Sequence, residues 1–312
     1  MDLYFLGTNA GIPTLQRNVT SIALRLLEER RSIWMFDCGE GTQHQVLRSP
    51  LRLGKLEKIF ITHLHGDHLF GLPGLLSSRG YQGGTSPLTV YGPPGLKAYL
   101  DISLSVSQSR IPYKIEIIEH TGGLVFEDDG FKVEAGLLEH RIDSYGYRVT
   151  EKDSPGSLNT ELLQSYGLRP GPLYGKLKKG EDVITDDGVQ IRAADVVSEP
   201  KRGRIVTILG DTRPCSGALS LSRNADLVIH EATFAHDLAE MAYQYHHSTA
   251  HQAAELAKEA GAGQLLLTHF SSRYSSHEEL IPLLEEAQVI FPETLLGEEF
   301  SAFPVHRRLA GK

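Results

Sequence analysis

Apolar residues in this chain come in short dense runs that break off into polar or glycine-rich segments. Leu3–Leu6, Ser21–Leu27, Ser32–Asp37, Ile59–Ile61, Pro87–Tyr91, Lys114–Glu119, Phe131–Leu138, Arg204–Leu209, Ala225–Ile229 and Gln264–Thr268 read as strands. They are rich in the β-branched and aromatic residues that fit a pleated surface. Helical patterns fall between them at Leu69–Ser78 and Leu96–Ser107, after Thr249, and from about Ser276 onward. Thr42 with Gln45, Thr249 with Gln252, and Ser276 with Glu279 each have the spacing of a reciprocal helix cap. Strands interleaved with helices predict an α/β protein whose sheets are covered by helices.

Several predicted strands end abruptly in residues that bind metals. Ile59–Ile61 runs into Thr62-His63-Leu64-His65-Gly66-Asp67-His68. In an extended segment His63, His65 and Asp67 point the same way, because side chains alternate with a period of two. A single histidine after a strand is more often structural, but packing alone does not require three imidazoles and a carboxylate together. Imidazole nitrogen and carboxylate oxygen are the usual ligands of zinc and related ions. Other strands end near His140, Asp211 and His269. His247 stands just before the helix that Thr249 caps, a position that favours an anion.

Bulk composition narrows the classes. The chain has 312 residues, 40% hydrophobic and 22% charged, long enough for a sizeable core. No stretch is apolar enough to span a bilayer, and the first residues read as a strand, with no secretory signal. Cys38 and Cys215 are too few for a disulfide framework, which fits a reducing, cytoplasmic setting. The net charge of −8 counts against a nucleic-acid partner overall. Locally the balance reverses: Leu162–Gly180 holds no acidic residue but carries Arg169, Lys176, Lys178 and Lys179. This lies in residues 150–190, where Pro, Gly and Ser become frequent and periodicity weakens.

His63-Leu64-His65-Gly66-Asp67-His68 resembles the HxHxDH signature of the metallo-β-lactamase superfamily. Gly7–Pro13, Pro13–Ser21, Asp37–Gln43, Gly171–Gly180, His230–Thr233 and Leu267–Tyr274 resemble segments of one of its families, ribonuclease Z, endonucleases that trim tRNA precursors. The resemblance implies a metallo-β-lactamase αββα sandwich, one domain over residues 1–312, with a protruding substrate-binding arm inserted at about 150–190. It implies two zinc ions per chain, one held by His63, His65 and His140, the other by Asp67, His68 and His269, with Asp211 between them. Asp37 would support the site from behind the ligands. Asp67, His247 and Glu231 would be catalytic, and Lys176, Lys178, Lys179, Arg17 and Arg273 would bind substrate. The expected activity removes the 3′ trailer from precursor tRNA, leaving a 3′-hydroxyl on the tRNA and a 5′-phosphate on the trailer. A homodimer is expected and no membrane. Three other readings stay open on the residues alone: a small-molecule phosphodiesterase, a catalytically silent RNA-binding subunit, and a structural zinc protein.

Overall fold

In the computed structural model, which describes residues Met1–Arg308, the short apolar runs become strands, most of them buried on both faces. The chain forms two compact units, Met1–Thr150 with Ile205–Lys312, and Glu151–Arg204. In the first unit, β1 (Asp2–Gly7), β2 (Ser21–Leu26), β3 (Ser32–Phe36), β4 (Leu56–Phe60), β5 (Leu88–Gly92) and β6 (Ile115–Glu119) build one sheet. Its order is β16-β1-β2-β3-β4-β5-β6, where β16 is Ala302–Pro304. The other sheet contains β7 (Gly123–Glu127), β8 (Phe131–Leu137), β9 (Tyr145–Glu151), β12 (Ile205–Ile208), β13 (Leu227–Glu231), β14 (Leu265–Thr268) and β15 (Thr294–Leu296). Its order is β15-β14-β13-β12-β9-β8-β7.

Alternation along each strand builds three apolar layers. Trp34, Phe36, Phe60 and Tyr91 from the first sheet meet Phe131, Val133, Tyr147, Ile208 and Ile229 from the second. Phe60 lies between the rings of Phe36 and Tyr91, with centroids 5.0 and 4.9 Å away. The opposite residues of the first sheet, such as Met35, Ile59 and Ile61, pack on helices α1 (Thr42–Leu47), α3 (Leu72–Tyr81) and α4 (Leu96–Val106). One-turn α2 (Gly66–Leu69) lies between α1 and α3 in the chain. The outer face of the second sheet, including Val228, Leu265 and Leu267, is covered by α8 (Ser216–Ser222), α10 (Ala250–Glu259) and α11 (His277–Ile290). α9 (Ala239–Tyr245) precedes α10. This is the expected αββα sandwich.

The second unit has its own small core of Leu163, Leu168, Leu177, Val183, Ile191, Ala193 and Val196. These come from α5 (Thr160–Ser165), α6 (Pro172–Lys178), the hairpin β10 (Val183–Ile184) and β11 (Gln190–Ile191), and α7 (Ala193–Val196). Lys176 and Lys178 lie on α6, Lys179 follows it, and all three are exposed while Leu177 between them is buried.

Two of the three expected caps form. Thr249 and Ser276 each accept from the backbone three residues on, and Gln252 and Glu279 reach back reciprocally. The Thr42 cap does not form. α1 starts at Thr42 itself, capped by Gly41 in the left-handed region (φ 75°), and the Thr42 hydroxyl donates back to Gly39 O at 2.7 Å. Gln45 is drawn away instead, its Nε2 donating to Leu6 O and Glu299 Oε2, each at 2.8 Å. Strands β7, β9, β15 and β16 also go beyond the sequence expectation. In β9 the signal was present, with Tyr145, Tyr147 and Val149 at alternate positions, all turned into the inter-sheet core.

Candidate metal centre

The ligand-type residues gather at the carboxyl ends of strands. His63 and His65 follow β4, Asp67 and His68 lie in α2, and His140 follows β8. Asp211 follows β12, Glu231 ends β13, His269 follows β14, and His247 sits between α9 and α10. Donor atoms of His63, His65, His140 and Asp211 all lie within 4.8 Å of one another, as do those of Asp67, His68, Asp211 and His269. Asp211 belongs to both groups. Its Oδ1 is 3.3 Å from Nε2 of His68 and of His269, while Oδ2 is 3.7 and 3.9 Å from Nε2 of His63 and His140.

The surroundings fix which nitrogen carries the proton in four of the rings, those of His63, His68, His140 and His269. His68 Nδ1 is 2.8 Å from Asp37 Oδ2, and His140 Nδ1 is 2.9 Å from His246 O, so both nitrogens donate. His63 Nδ1 is 3.0 Å from Thr62 Oγ1, whose own proton goes to Asp37 Oδ2 at 2.9 Å. His269 Nδ1 is 3.0 Å from Thr233 Oγ1, whose proton goes to Glu231 Oε2 at 2.6 Å. In a neutral imidazole the other nitrogen is then a bare acceptor. Four bare Nε2 atoms therefore point into one volume beside two carboxylates. His68 Nε2 and His269 Nε2 are 3.3 Å apart, and His65 Nδ1 lies 3.1 and 3.2 Å from Nε2 of His63 and His140. Such converging lone pairs repel unless a cation sits among them, so the donor set fits a metal, and outer partners that fix the ring tautomer are a usual feature of metal sites. Asp37, His246 and His269 are held at left-handed φ (59°, 58° and 57°), a strain that often accumulates at functional sites.

Electrostatics follow the same geometry. Burial, aided by neighbouring His68, holds His63 well below the ordinary imidazole range, and burial likewise lowers His65 and His140. Burial also works against a charged His68, yet the carboxylates of Asp211, Asp67 and Asp37 outweigh it and push this ring well above the usual value, a negative field that draws a cation, proton or metal, to its Nε2. Burial opposes the ionised forms of Asp67 and Asp211 too, but surrounding imidazoles hold both below the usual carboxylate range. Asp67 Oδ2 also accepts the Gly11 N–H at 2.7 Å.

Beside the cluster opens a cavity of about 450 Å³, lined among others by His65, Asp67, His140, Asp211, His247, His269 and Arg273. His247 Nδ1 lies 2.9 and 3.1 Å from the two oxygens of Glu231, which is buried and also accepts Thr212 N–H at 2.7 Å. Burial lowers a charged imidazole, but Glu231 more than reverses this and raises His247 to about 9. The pair therefore presents an imidazolium at the cavity at neutral pH. Arg273 lines the cavity with its guanidinium over Phe234, 5.1 Å from the ring centroid.

Arg17, expected to bind substrate, is not brought there. It is buried, its Nε donates to Asn9 Oδ1 at 3.1 Å, and its Nη2 donates to Tyr274 O. Several groups that orient the cluster were not legible in the sequence: the hydroxyls of Thr62 and Thr233, the Gly11 N–H and the His246 carbonyl. Hydroxyl and backbone donors leave no distinctive residue pattern, although Thr62 and Thr233 do flank the motifs.

Comparison with known proteins places the chain. A family model described as Anti-Pycsar protein Apyc1 matches residues 1–124, the part that carries β1 to β6 and the His63–His68 segment. Ribonuclease Z of Bacillus licheniformis is 54% identical over 98% of this chain and 100% of that protein. Ribonuclease Z of Listeria monocytogenes is 52% identical over 98% of this chain and 99% of its own length. Among solved structures, the short form of human tRNase Z superposes with a TM-score of 0.71 at 32% identity, covering 98% of this chain and 100% of that one. The metallo-β-lactamase fold protein YhfI of Bacillus subtilis, at 18% identity and a TM-score of 0.66 over 97% of this chain and 98% of its own, shares the fold. With relatives of this identity spanning the whole chain and a shared fold beneath them, the chain belongs to the ribonuclease Z family.

Proposed function

We propose that this protein removes the 3′ trailer from tRNA precursors with two zinc ions per chain, leaving a 3′-hydroxyl on the tRNA and a 5′-phosphate on the trailer. Membership of the family makes it a metal-dependent endoribonuclease of tRNA 3′ processing. The observation that carries the two-zinc reading is the convergence of bare Nε2 atoms on two groups of donors that share Asp211. His63, His65 and His140 would hold one ion and Asp67, His68 and His269 the other, with Asp211 between them. When bound, such ions neutralise the scissile phosphate and bring the pKa of a water near neutrality.

The chain's own groups account for the proton transfers. Asp67, oriented by the Gly11 N–H, would position and deprotonate the attacking water. His247, kept protonated by Glu231, would donate to the departing 3′-oxygen as general acid. Arg273 at the cavity would contact a flanking phosphate, and Lys176, Lys178 and Lys179 would grip tRNA elsewhere on the chain. Arg17, tied to Asn9 and Tyr274, would act by holding the loop around Asn9 rather than by touching RNA. A purely structural zinc site is the weaker reading, because such sites favour thiolates and closed coordination, whereas this donor set has no cysteine and borders an open cavity. Work in the cytoplasm as a homodimer completes the proposal. No helix among the described residues is long and apolar enough to cross a membrane.

The test uses a tRNA precursor with a 3′ extension. Cleavage should vanish after treatment with a chelator and return with added zinc. Cleavage that persists in metal-free protein would overturn the proposal.

A further inference from the structure

The loop Thr8–Asn18 borders the metal-centre cavity through Ala10 and Gly11, and a carboxylate from the far end of the chain holds it. Glu299, between β15 and β16, accepts Thr8 N–H at 3.1 Å and Asn18 N–H at 2.7 Å on Oε1. Its Oε2 accepts Gln45 Nε2–H at 2.8 Å, and Gln45 is itself anchored to Leu6 O. Thr8 and Asn18 are the two ends of the loop, joined by Thr8 N–H and Asn9 N–H to Asn18 O at 3.0 and 2.9 Å.

What the clamped loop touches is asymmetric. Gly11, at φ +70° where a side chain would be strained, donates its N–H to Asp67 Oδ2 at 2.7 Å. The loop also pairs in both directions with Phe270, through Ala10 N–H to Phe270 O at 2.9 Å and Phe270 N–H to Thr8 O at 2.8 Å. Phe270 follows His269, whose left-handed backbone (φ 57°) needs such support. Asp67 and His269 both belong to the second donor group. His63 and His140 are braced by Thr62 and His246 instead, with no link to this loop. Glu299 is also a costly group to place here: burial pushes its carboxyl up to about 7 against the hydrogen bonds and Arg17 that favour the ionised form.

We propose that Glu299 is a positioning residue for one half of the metal centre. By holding Thr8–Asn18 it fixes the Gly11 N–H on Asp67 and the backbone beside His269, and so sets affinity for the ion held by Asp67, His68 and His269. The inference rests on the two-zinc reading above.

Glu299→Gln is isosteric. It keeps an oxygen for the Thr8 and Asn18 amides but turns an amide group toward the Gln45 amide, so one anchor is lost. Zinc affinities, read by competition with a chromophoric chelator, should show one of two ions weakened about 10-fold, the low end of what losing a direct partner of a ligand costs, because Glu299 acts through the loop. The other ion should stay as tight as in the wild type, and the thermal midpoint should shift little. Hydrolysis of bis(p-nitrophenyl) phosphate should fall at limiting zinc and recover at excess zinc. If wild-type protein binds two zinc ions and Glu299→Gln binds both as tightly, or loses both together with its fold, the inference is wrong while the two-zinc reading stands. If the wild type binds fewer than two, that reading fails and takes the inference with it.

Discussion

At the scale of single residues, the centre depends on which nitrogen of each histidine is free. Asp211 presents one oxygen to His68 and His269 and the other to His63 and His140, so Asp211→Ala should lower zinc content and abolish cleavage. Full zinc and activity in that variant, measured by elemental analysis and a cleavage assay, would contradict the shared-ligand geometry. His247 is engaged by Glu231, so His247→Ala should keep both ions yet cut about 10²- to 10⁴-fold more slowly, the usual cost of losing a general acid. An unchanged single-turnover rate on saturating RNA would remove His247 from the chemistry. Because Glu231 raises His247 to about 9, the donor is protonated at neutral pH and loses its proton as pH rises through that value. Wild-type single-turnover cleavage should therefore decline above about pH 9, and the profile of His247→Ala should lack that decline. The residues of the cluster were legible in the sequence because His and Asp bunch at strand ends where packing does not ask for them. The groups that set their tautomers were not, because a threonine hydroxyl or a glycine amide looks the same whether or not it serves a site.

At the scale of elements, the fold was legible wherever an apolar run was dense enough to be buried on both faces. Strands β3, β4, β13 and β14 are of this kind, each sending alternate residues to the inter-sheet layer and to a helix layer. Short β15 and β16 at the sheet edges carry too few residues for a pattern to emerge. Caps were legible at Thr249 and Ser276, where Gln252 and Glu279 still reach back to the cap backbone, and misleading at Thr42, where Leu6 O and Glu299 claim Gln45. Ser276→Ala removes a formed cap and should cost about 1 kcal/mol in urea unfolding, whereas the same change at Thr42 should not act through a cap. Phe60→Ala opens the ring stack between Phe36 and Tyr91 and should cost about 3–5 kcal/mol. A loss below 1 kcal/mol would mean that the layer between the sheets is not tightly packed there.

At the scale of the whole molecule, a chain of net charge −8 must hold a polyanion, so attraction has to be local. Bound cations would supply part of it, and Lys176, Lys178 and Lys179, all exposed in the second unit, are the candidates for the rest. Changing all three to Ala should weaken tRNA binding and flatten its salt dependence, since fewer counterions are released. Hydrolysis of bis(p-nitrophenyl) phosphate should stay near the wild-type rate. Wild-type tRNA affinity in this variant would mean a merely solvated surface. The separate core of that unit was not legible, because its elements are short and its apolar positions isolated among Pro, Gly and charged residues. The central claim is the cut itself. Purified, zinc-loaded protein is incubated with a tRNA precursor bearing a 3′ trailer, and both products are sequenced and their termini identified chemically. A single cut at the 3′ end of the tRNA, with a 3′-hydroxyl on the tRNA and a 5′-phosphate on the trailer, is the expected result; an intact precursor, or a cut leaving a 3′-phosphate, would contradict it.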